Sequence, residues 1–598
     1  MIESMRKYTF VIYRPDYPDL LSRMQELGMV HISRSSEAKT ENLLKTQDLI
    51  ERMNSAAKYV DKYITDESET LHTVYHTMKI LKQVEDAVQT KEALQRQADG
   101  QRKAITELKP WGHFDRQLVN ELKTKGIEVD FYTCPKNHFR DEWKKELCLQ
   151  ELSIAAGIVY FVVVHWEDEP VNFDSDRFRF PDRSLNELER ELKATQEKLT
   201  EIETFFQTYS RSYYLRFQDE IIKLTADYDY EDAVQQGIPE ADEHIMVLIG
   251  WIPQRLEADL VQFISKQNII HYASDPQPND NVPISLRNGK FAGLFEPIAR
   301  MFMLPSYDDL DLTPFFAPFF MLFFGFCNAD IMYGIALIGL SFLLKKKLKN
   351  PAVNAYLTLV LLFGIAAIVM GWLTGTVLGF DLKKTPLSGA ILITKTDQIF
   401  NLALLLGALQ ILFGVLIRIG KGIRQKGVMG GIAPLGVFVF LLSLTLMGAQ
   451  MLEADIGILA QYTKWLMYAG LAMVMLFNSP GKNIFVNLGS GLWEMYNVVT
   501  GFLGDILSYI RLFALGVSST ILGLVVNSIA QNMLGIPIAG YLLFAVFMLF
   551  GHALNLALGA LGGFIHPLRL TFVEFYKNAG FQGPGLEYRP FTKNRTVK

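Results

Sequence analysis

Cysteine is almost missing from this chain of 598 residues: Cys134, Cys148 and Cys327 are the three that occur, far apart and with no CxxC pair. A disulfide framework or thiol-rich metal centre is thereby excluded, and free thiols in a reducing compartment are expected. Charge of one sign is also scarce. The net charge of -5 is small for the length and gives no footprint for a nucleic acid. The sequence contains neither GxxxxGK[ST] nor HExxH, so no nucleotide site, metal centre or cofactor is expected. The stretch MIESMRKYTFVIYRPD has no apolar h-region. No cleaved signal peptide is therefore expected, and the soluble part should stay in the cytoplasm.

Long apolar runs are present, and they sit on one side of the chain. The mean hydropathy of +0.16 averages two different solvents. The size exceeds what one core holds. We read residues 1–310 as a cytoplasmic domain and 311–598 as a membrane domain. The overall fold class is mostly α, with α/β lobes and a coiled coil before the membrane helices.

In the first part, KYTFVIY, DYPDLLSRMQELG and MVHIS read as strand, helix and strand. From Asn42 to Leu108 the apolar positions step by three and four through Ile50, Met53, Ala57, Val60 and Ile64, then Leu71, Val74, Met78, Leu81 and Val88. That is a coiled-coil seam, whose arm of roughly 65 residues would span about 100 Å. A lobe around 126–165 with the strand GIVYFVVVHW follows. A second seam runs through Leu185, Leu188, Leu192, Leu199, Ile202, Phe206, Tyr209 and Tyr213, and HIMVLIGWIP and LEADLVQFISK add a strand and a helix. The two seams read as one antiparallel hairpin; a coiled coil joining two chains is the alternative.

Apolar segments fall at roughly 313–344, 352–379, 397–417, 431–452, 461–478, 492–533 and 538–575. Crossing once from the cytoplasm, the first would carry Lys345, Lys346, Lys347 and Lys349 outside, against the positive-inside tendency. Two short helices turning near CNAD bring the lysines back. The others then alternate, with Arg418, Lys421, Arg424, Lys426 and the NSPGKN stretch inside. Eight membrane helices with both termini cytoplasmic are expected. The last two segments exceed the roughly 20 residues of a perpendicular span, so they must tilt or project.

Polar and small residues in these last two segments are patterned. His552, Asn555, Gly559, Gly562, His566 and Arg569 step by 3, 4, 3, 4, 3 along one helical face. Glu494, Asn497, Gly501, Gly504, Ser508, Arg511 and Ser518 form a similar stripe on the preceding segment. The stripes read as walls of a hydrated path. The glycines alone fit close helix packing equally well, and each histidine alone fits a hydrogen-bonded interior. Arginine keeps its charge in protein surroundings and is costly inside a membrane. Arg511 and Arg569 are therefore the lead functional residues. Snorkelling toward the cytoplasm could accommodate Arg569, which is close to Lys577.

PSYDDLDLTPFFAPFFMLFFGFCNADIMYG, SYIRLFALGVSS and FIHPLRLTFVEFYKNAGFQGPGLEYRPF resemble the large membrane stator subunit of rotary V/A-type ATPases, subunit a or I. The similarity runs through essentially the whole chain. It implies a non-catalytic subunit in a cell or organellar membrane that couples H⁺ or Na⁺ translocation to rotation. Its implied partners are a rotor ring of small subunits with a membrane carboxylate, peripheral stator stalks, a soluble ATPase head reached through those stalks, and lipid. The SYxRL arginine, essential and facing the ring, falls on Arg511; the LRLxxVEF arginine falls on Arg569. The family's membrane acidic residue matches Asp330, preceded here by Ala329 where relatives carry glycine. Relatives often carry glutamate or glutamine ten residues before the second arginine; here that position is Gly559, and Asn555 is its expected substitute. Two offset half-channels follow from the resemblance. His552 and Asn555 are assigned to the outer one, and Glu494, Asn497 and Ser508 to the inner one. Asp505, His566 and Glu574 complete the candidate lining. Rival readings are a secondary transporter with a regulatory coiled coil, which should show repeated halves, and a scaffold whose arginines pair with Asp330, Asp505 or Glu574.

Overall fold

The computed structural model describes the chain apart from residues 35–38, 66–75, 113–115, 141, 167–175, 179–183, 268, 279, 349–350, 382–390, 394, 453–456, 458, 479–483, 536–538 and 594–598. Leu71, Val74, Lys349 and most of the NSPGKN stretch lie outside the described residues.

The first elements are β1 (Met5–Tyr13), α1 (Tyr17–Leu27), β2 (His31–Ile32), α2 (Glu41–Asp61) and α3 (Thr77–Leu108). Then come β3 (Ile127–Pro135), β4 (Leu149–Ala155), β5 (Ile158–Trp166), β6 (Asp176–Arg177), α4 (Leu185–Gln235), β7 (Ile245–Pro253), α5 (Glu257–Ser265) and β8 (Ile270–Ser274). The chain divides into two compact units. One holds residues 1–12, 30–33 and 247–590; the other holds 13–29, 34–246 and 591–598.

The second of these units is built on α4, a helix of 51 residues, about 77 Å long. A reciprocal cap starts it: the Glu187 amide donates to Ser184 Oγ (3.3 Å) and the Ser184 amide donates to Glu187 Oε2 (2.8 Å). Both α2 and α3 pack along it within the one chain. The helical run expected from 42 to 108 is thus two helices, with α2 ending at Asp61 and α3 beginning at Thr77. Their apolar spacing matches because both offer a seam to the same partner, so the break leaves no mark on the periodicity. Met53, Ala57, Val60, Ile80, Leu81 and Val84 meet Phe206, Tyr213, Phe217 and Ile221 there. Phe206 is fully buried between Tyr59 (5.3 Å) and Tyr63 (5.2 Å). Phe206→Ala should cost about 3–5 kcal/mol, read as a lowered unfolding temperature of this unit by calorimetry. A cost below about 1 kcal/mol would mean the seam does not hold it together. The lobe between α3 and α4 is an antiparallel sheet in the order β4-β5-β3-β6.

In the other unit β1 buries Met5, Tyr8, Phe10 and Ile12, close to a period of two. It lies in a sheet of order β2-β7-β1-β8. The long helices that follow are α6 (Thr313–Cys327), α7 (Ile331–Lys347), α8 (Pro351–Thr374), α9 (Thr396–Lys426), α10 (Val428–Met451), α11 (Leu459–Phe477), α12 (Ile484–Met533) and α13 (Ala539–Arg569). Among the described residues five helices are long and apolar enough to cross a membrane, or six if the pair α6 and α7, bent by 120°, counts as one span. α6 is apolar all round, and Phe316, Phe320, Phe323, Phe324 and Phe326 are almost wholly buried among α8, α12 and α13. Close approach needs glycine: a Cβ at Gly325 would stand 2.6 Å from the Ala366 carbonyl oxygen.

Candidate functional site

The site is assembled on α12 and α13, which pack against each other. Tyr509 fixes the rotation of α12. It is fully buried, packs on Gly407 of α9 and donates its hydroxyl to Gln410 Oε1 (2.7 Å). Arg511, two residues on, is turned by about 200° from Tyr509 and faces away from that core. It is half-buried, and its Nη1 is buried without a hydrogen-bond partner. Large apolar side chains are exposed along the same two helices: Leu507, Ile521 and Val525 on α12, and Leu554, Leu558, Leu561 and Ile565 on α13. Only 11 % of the apolar stretch of α13 is buried, so this helix keeps most of its surface for something outside the chain.

Contacts between the two helices fix their antiparallel register. Asn527 Oδ1 meets His552 Nε2 (3.0 Å), Val526 faces Gly551, Asn555 Nδ2 donates to the Ser519 carbonyl (2.9 Å) and Leu515 faces Gly562. One further turn sets Arg511 opposite His566 and Ser508 opposite Arg569. Arg569 ends α13 and is exposed. The face of α12 that meets α13 runs through Leu515, Ser519, Gly523 and Asn527. Ser518, counted on the sequence stripe, is exposed instead. A straight helical count fails there because the seam between two long helices drifts around each of them.

Toward the start of α12 the candidates are charged and paired. Asp505 is buried, with Lys577 Nζ at 3.1 and 3.4 Å and Asn578 Nδ2 donating at 2.8 Å. Glu494 faces Arg418 of α9 at 3.6 Å. Lys421 pairs with buried Asp309 at 2.5 Å. Arg418 and Lys421, read from the sequence as topology signals alone, therefore also bind other parts of the unit. Asn497 is exposed, and Ser508 donates to the Gly504 carbonyl (3.1 Å). After Arg569 the chain makes a π-helical turn, Leu570–Phe575, which shifts the inward face by one residue. Val573 is exposed, while Glu574 is buried with its Oε2 unpartnered.

Toward the far end lies a connected polar cluster. The Tyr333 hydroxyl meets His552 Nδ1 (2.8 Å) and accepts from Asn555 Nδ2 (2.8 Å), and Asn527 Nδ2 donates to the Leu378 carbonyl (2.6 Å). His552 and Asn555 were expected here. Tyr333 and Asn527 were missed, although Tyr333 stands in the NADIMYG motif. Asp330 is not in this chain of contacts. It caps α7, accepting from the amides of Met332 (2.9 Å) and Tyr333 (3.3 Å), and accepts from the Gly379 amide (3.0 Å) through its other oxygen. Among the described residues neither Arg511 nor Arg569 forms an ion pair with Asp330, Asp505 or Glu574, the partners the scaffold reading expects; Asp505 pairs with Lys577 instead.

No protein-family model matches the chain. V-type ATP synthase subunit I of Borreliella burgdorferi is 27 % identical over 521 residues, covering 81 % of this chain and 82 % of the relative. V-type ATP synthase subunit I 1 of Treponema pallidum is 24 % identical over 639 aligned positions, covering 99 % and 100 %. A solved structure of the cytoplasmic N-terminal domain of subunit I, homolog of subunit a, of V-ATPase is 13 % identical with a TM-score of 0.22, covering 45 % of this chain and 100 % of that one. With its apolar spans, its SYIRL and LRLTFVEF arginines on paired helices and relatives that align along nearly its whole length, the chain is similar to subunit I of V/A-type ATP synthases.

Proposed function

We propose that this subunit forms two offset half-channels against a rotor ring of small carboxylate-bearing subunits and couples H⁺ or Na⁺ translocation to rotation. The observation that carries the reading is Arg511: a half-buried guanidinium inside a long apolar helix, with a buried, unpartnered Nη1. A carboxylate brought to about 4 Å gains roughly 4 kcal/mol at an effective dielectric of 20, before desolvation. Each ring site passing Arg511 is thereby held ionised and gives up its ion. The same charge blocks a direct leak between the half-channels.

The Tyr333, Asn527, His552 and Asn555 cluster serves as the outer half-channel. Glu494, Asn497, Asp505, Ser508 and Glu574 line the inner one, and His566 adjoins the arginines. Residues 1–310 act as the cytoplasmic stator domain that holds the peripheral stalks, and through them the ATPase head; residues 311–598 form the membrane domain. Purification from the native membrane should bring down the ring and the head with this chain; a chain that never co-purifies with them would overturn the assignment.

The membrane domain holds eight helices with both termini cytoplasmic. The α6 and α7 helices, of 15 and 17 residues, are about 22 and 25 Å long, each short of a hydrocarbon core of about 30 Å. Their 120° bend suits a hairpin that returns to the side it entered from. A cysteine placed at Lys346 should react with an impermeant thiol reagent from the cytoplasmic side. Labelling from the outside alone would make the pair one span and reverse the half-channel assignments.

A further inference from the structure

Between Asn555 and His566 the inward line of α13 has no polar side chain. Gly559, Gly562 and Gly563 occupy that stretch, a gap of about 16 Å. The space is filled from another element. Asn328, in the break between α6 and α7, is fully buried against Gly559 and Gly563. A Cβ built at Gly559 would stand 2.6 Å from Asn328 Oδ1 and 3.6 Å from Ser519 Oγ, and one at Gly563 would meet Asn328 Nδ2. Nδ2 donates to the Phe324 carbonyl (3.2 Å), while Oδ1 is buried and accepts from nothing. Buried acceptors are nearly always satisfied, and one that is not points to a missing donor. Asn555 lies one turn before Gly559, and His566 and Arg511 lie two turns after it.

We infer that the Asn328 carboxamide is the polar step that carries the outer half-channel across the glycine stretch of α13, with its Oδ1 accepting a hydrogen bond from permeating water that hands on the ion. Asn328 and a side chain at position 559 exclude one another. The polar group at this depth therefore belongs to the α6–α7 break and not to α13. The inference rests on the half-channel reading of the site.

The test moves the polar group from one helix to the other in the whole complex, reconstituted in vesicles, with assembly measured on each preparation. Asn328→Ala should lower ion flux at least tenfold per assembled complex. Gly559→Gln alone should fail, because its side chain meets Asn328. Asn328→Ala combined with Gly559→Gln should recover flux to within a few-fold of wild type. Asn328→Ala combined with Gly559→Met, similar in volume but apolar, should not. Equal recovery by glutamine and methionine would make Asn328 a packing residue and overturn the inference. So would wild-type flux in Asn328→Ala, or no recovery with glutamine. If Asn328→Ala alone does not assemble, the comparison of the two double variants decides. Arg511→Lys, measured in parallel, tests the half-channel reading separately: if it transports normally, that reading fails, whichever way the Asn328 series falls.

Discussion

Arg511→Lys should give a complex that assembles at normal levels, whose ATPase head still hydrolyses when detached, and that transports almost no ions. The two side chains share a charge and nearly a length, so a packing role would tolerate the change. A charge role would not. Arg511 sits half-buried with its Nη1 shielded and unpartnered. A guanidinium keeps its proton in such a place, whereas an ammonium is a compact, strongly hydrated charge that gives its proton up when desolvated. A neutral amine no longer holds the passing carboxylate in its ionised form. Losing an interaction of roughly 4 kcal/mol corresponds to about a 1,000-fold fall in transport rate. Arg569→Lys should be milder, with roughly a tenfold loss, because Arg569 is exposed at the end of α13 and lies one turn beyond the residue facing Arg511. Ion flux in vesicles, normalised to assembled complex, is the measurement. Arg511→Lys flux near wild type would leave the residue structural and remove the central charge from the mechanism.

The parts of this site visible in the sequence are those written along a single helix. Arg511 and Arg569 stand out because a charge inside an apolar run is conspicuous, and the 3-4 spacing of His552, Asn555, Gly559, Gly562, His566 and Arg569 is written along the single helix α13. The break at Asn328–Asp330 was also legible, since the lysines after it demand a return. What pairs across helices was not. Nothing in the order of residues says that Asn527 meets His552, that Tyr333 joins Asn555, or that Asn328 fills the space left by Gly559. The π-helical turn adds a residue that no periodic count anticipates, and it buries Glu574 in place of Val573. Ser518 and Ser519 differ by 100° around α12; only the contact with α13 selects the second. In the other unit, the continuous rhythm from Asn42 to Leu108 concealed a break, because α2 and α3 serve the same partner.

Asp330→Ala should prevent assembly, and Asp330→Asn should not. The carboxylate is 5 % exposed and holds three amides, those of Met332 and Tyr333 through one oxygen and that of Gly379 through the other. It therefore caps α7 and ties the turn after α8 to the bend between α6 and α7. Alanine removes the cap and the bond to Gly379, leaving three amides without their acceptor at about 1–3 kcal/mol each. The total of several kcal/mol rivals the whole stability of a domain. Asparagine keeps an oxygen for the two amides of α7 and loses chiefly the bond to Gly379, about 1–2 kcal/mol. That variant should assemble in reduced yield and transport at near wild-type rates per complex. The contrast separates two roles for an acid buried among membrane helices. If the charge itself carried the ion, asparagine would assemble and fail to transport. That result would move Asp330 from the frame of the outer half-channel into its conducting path.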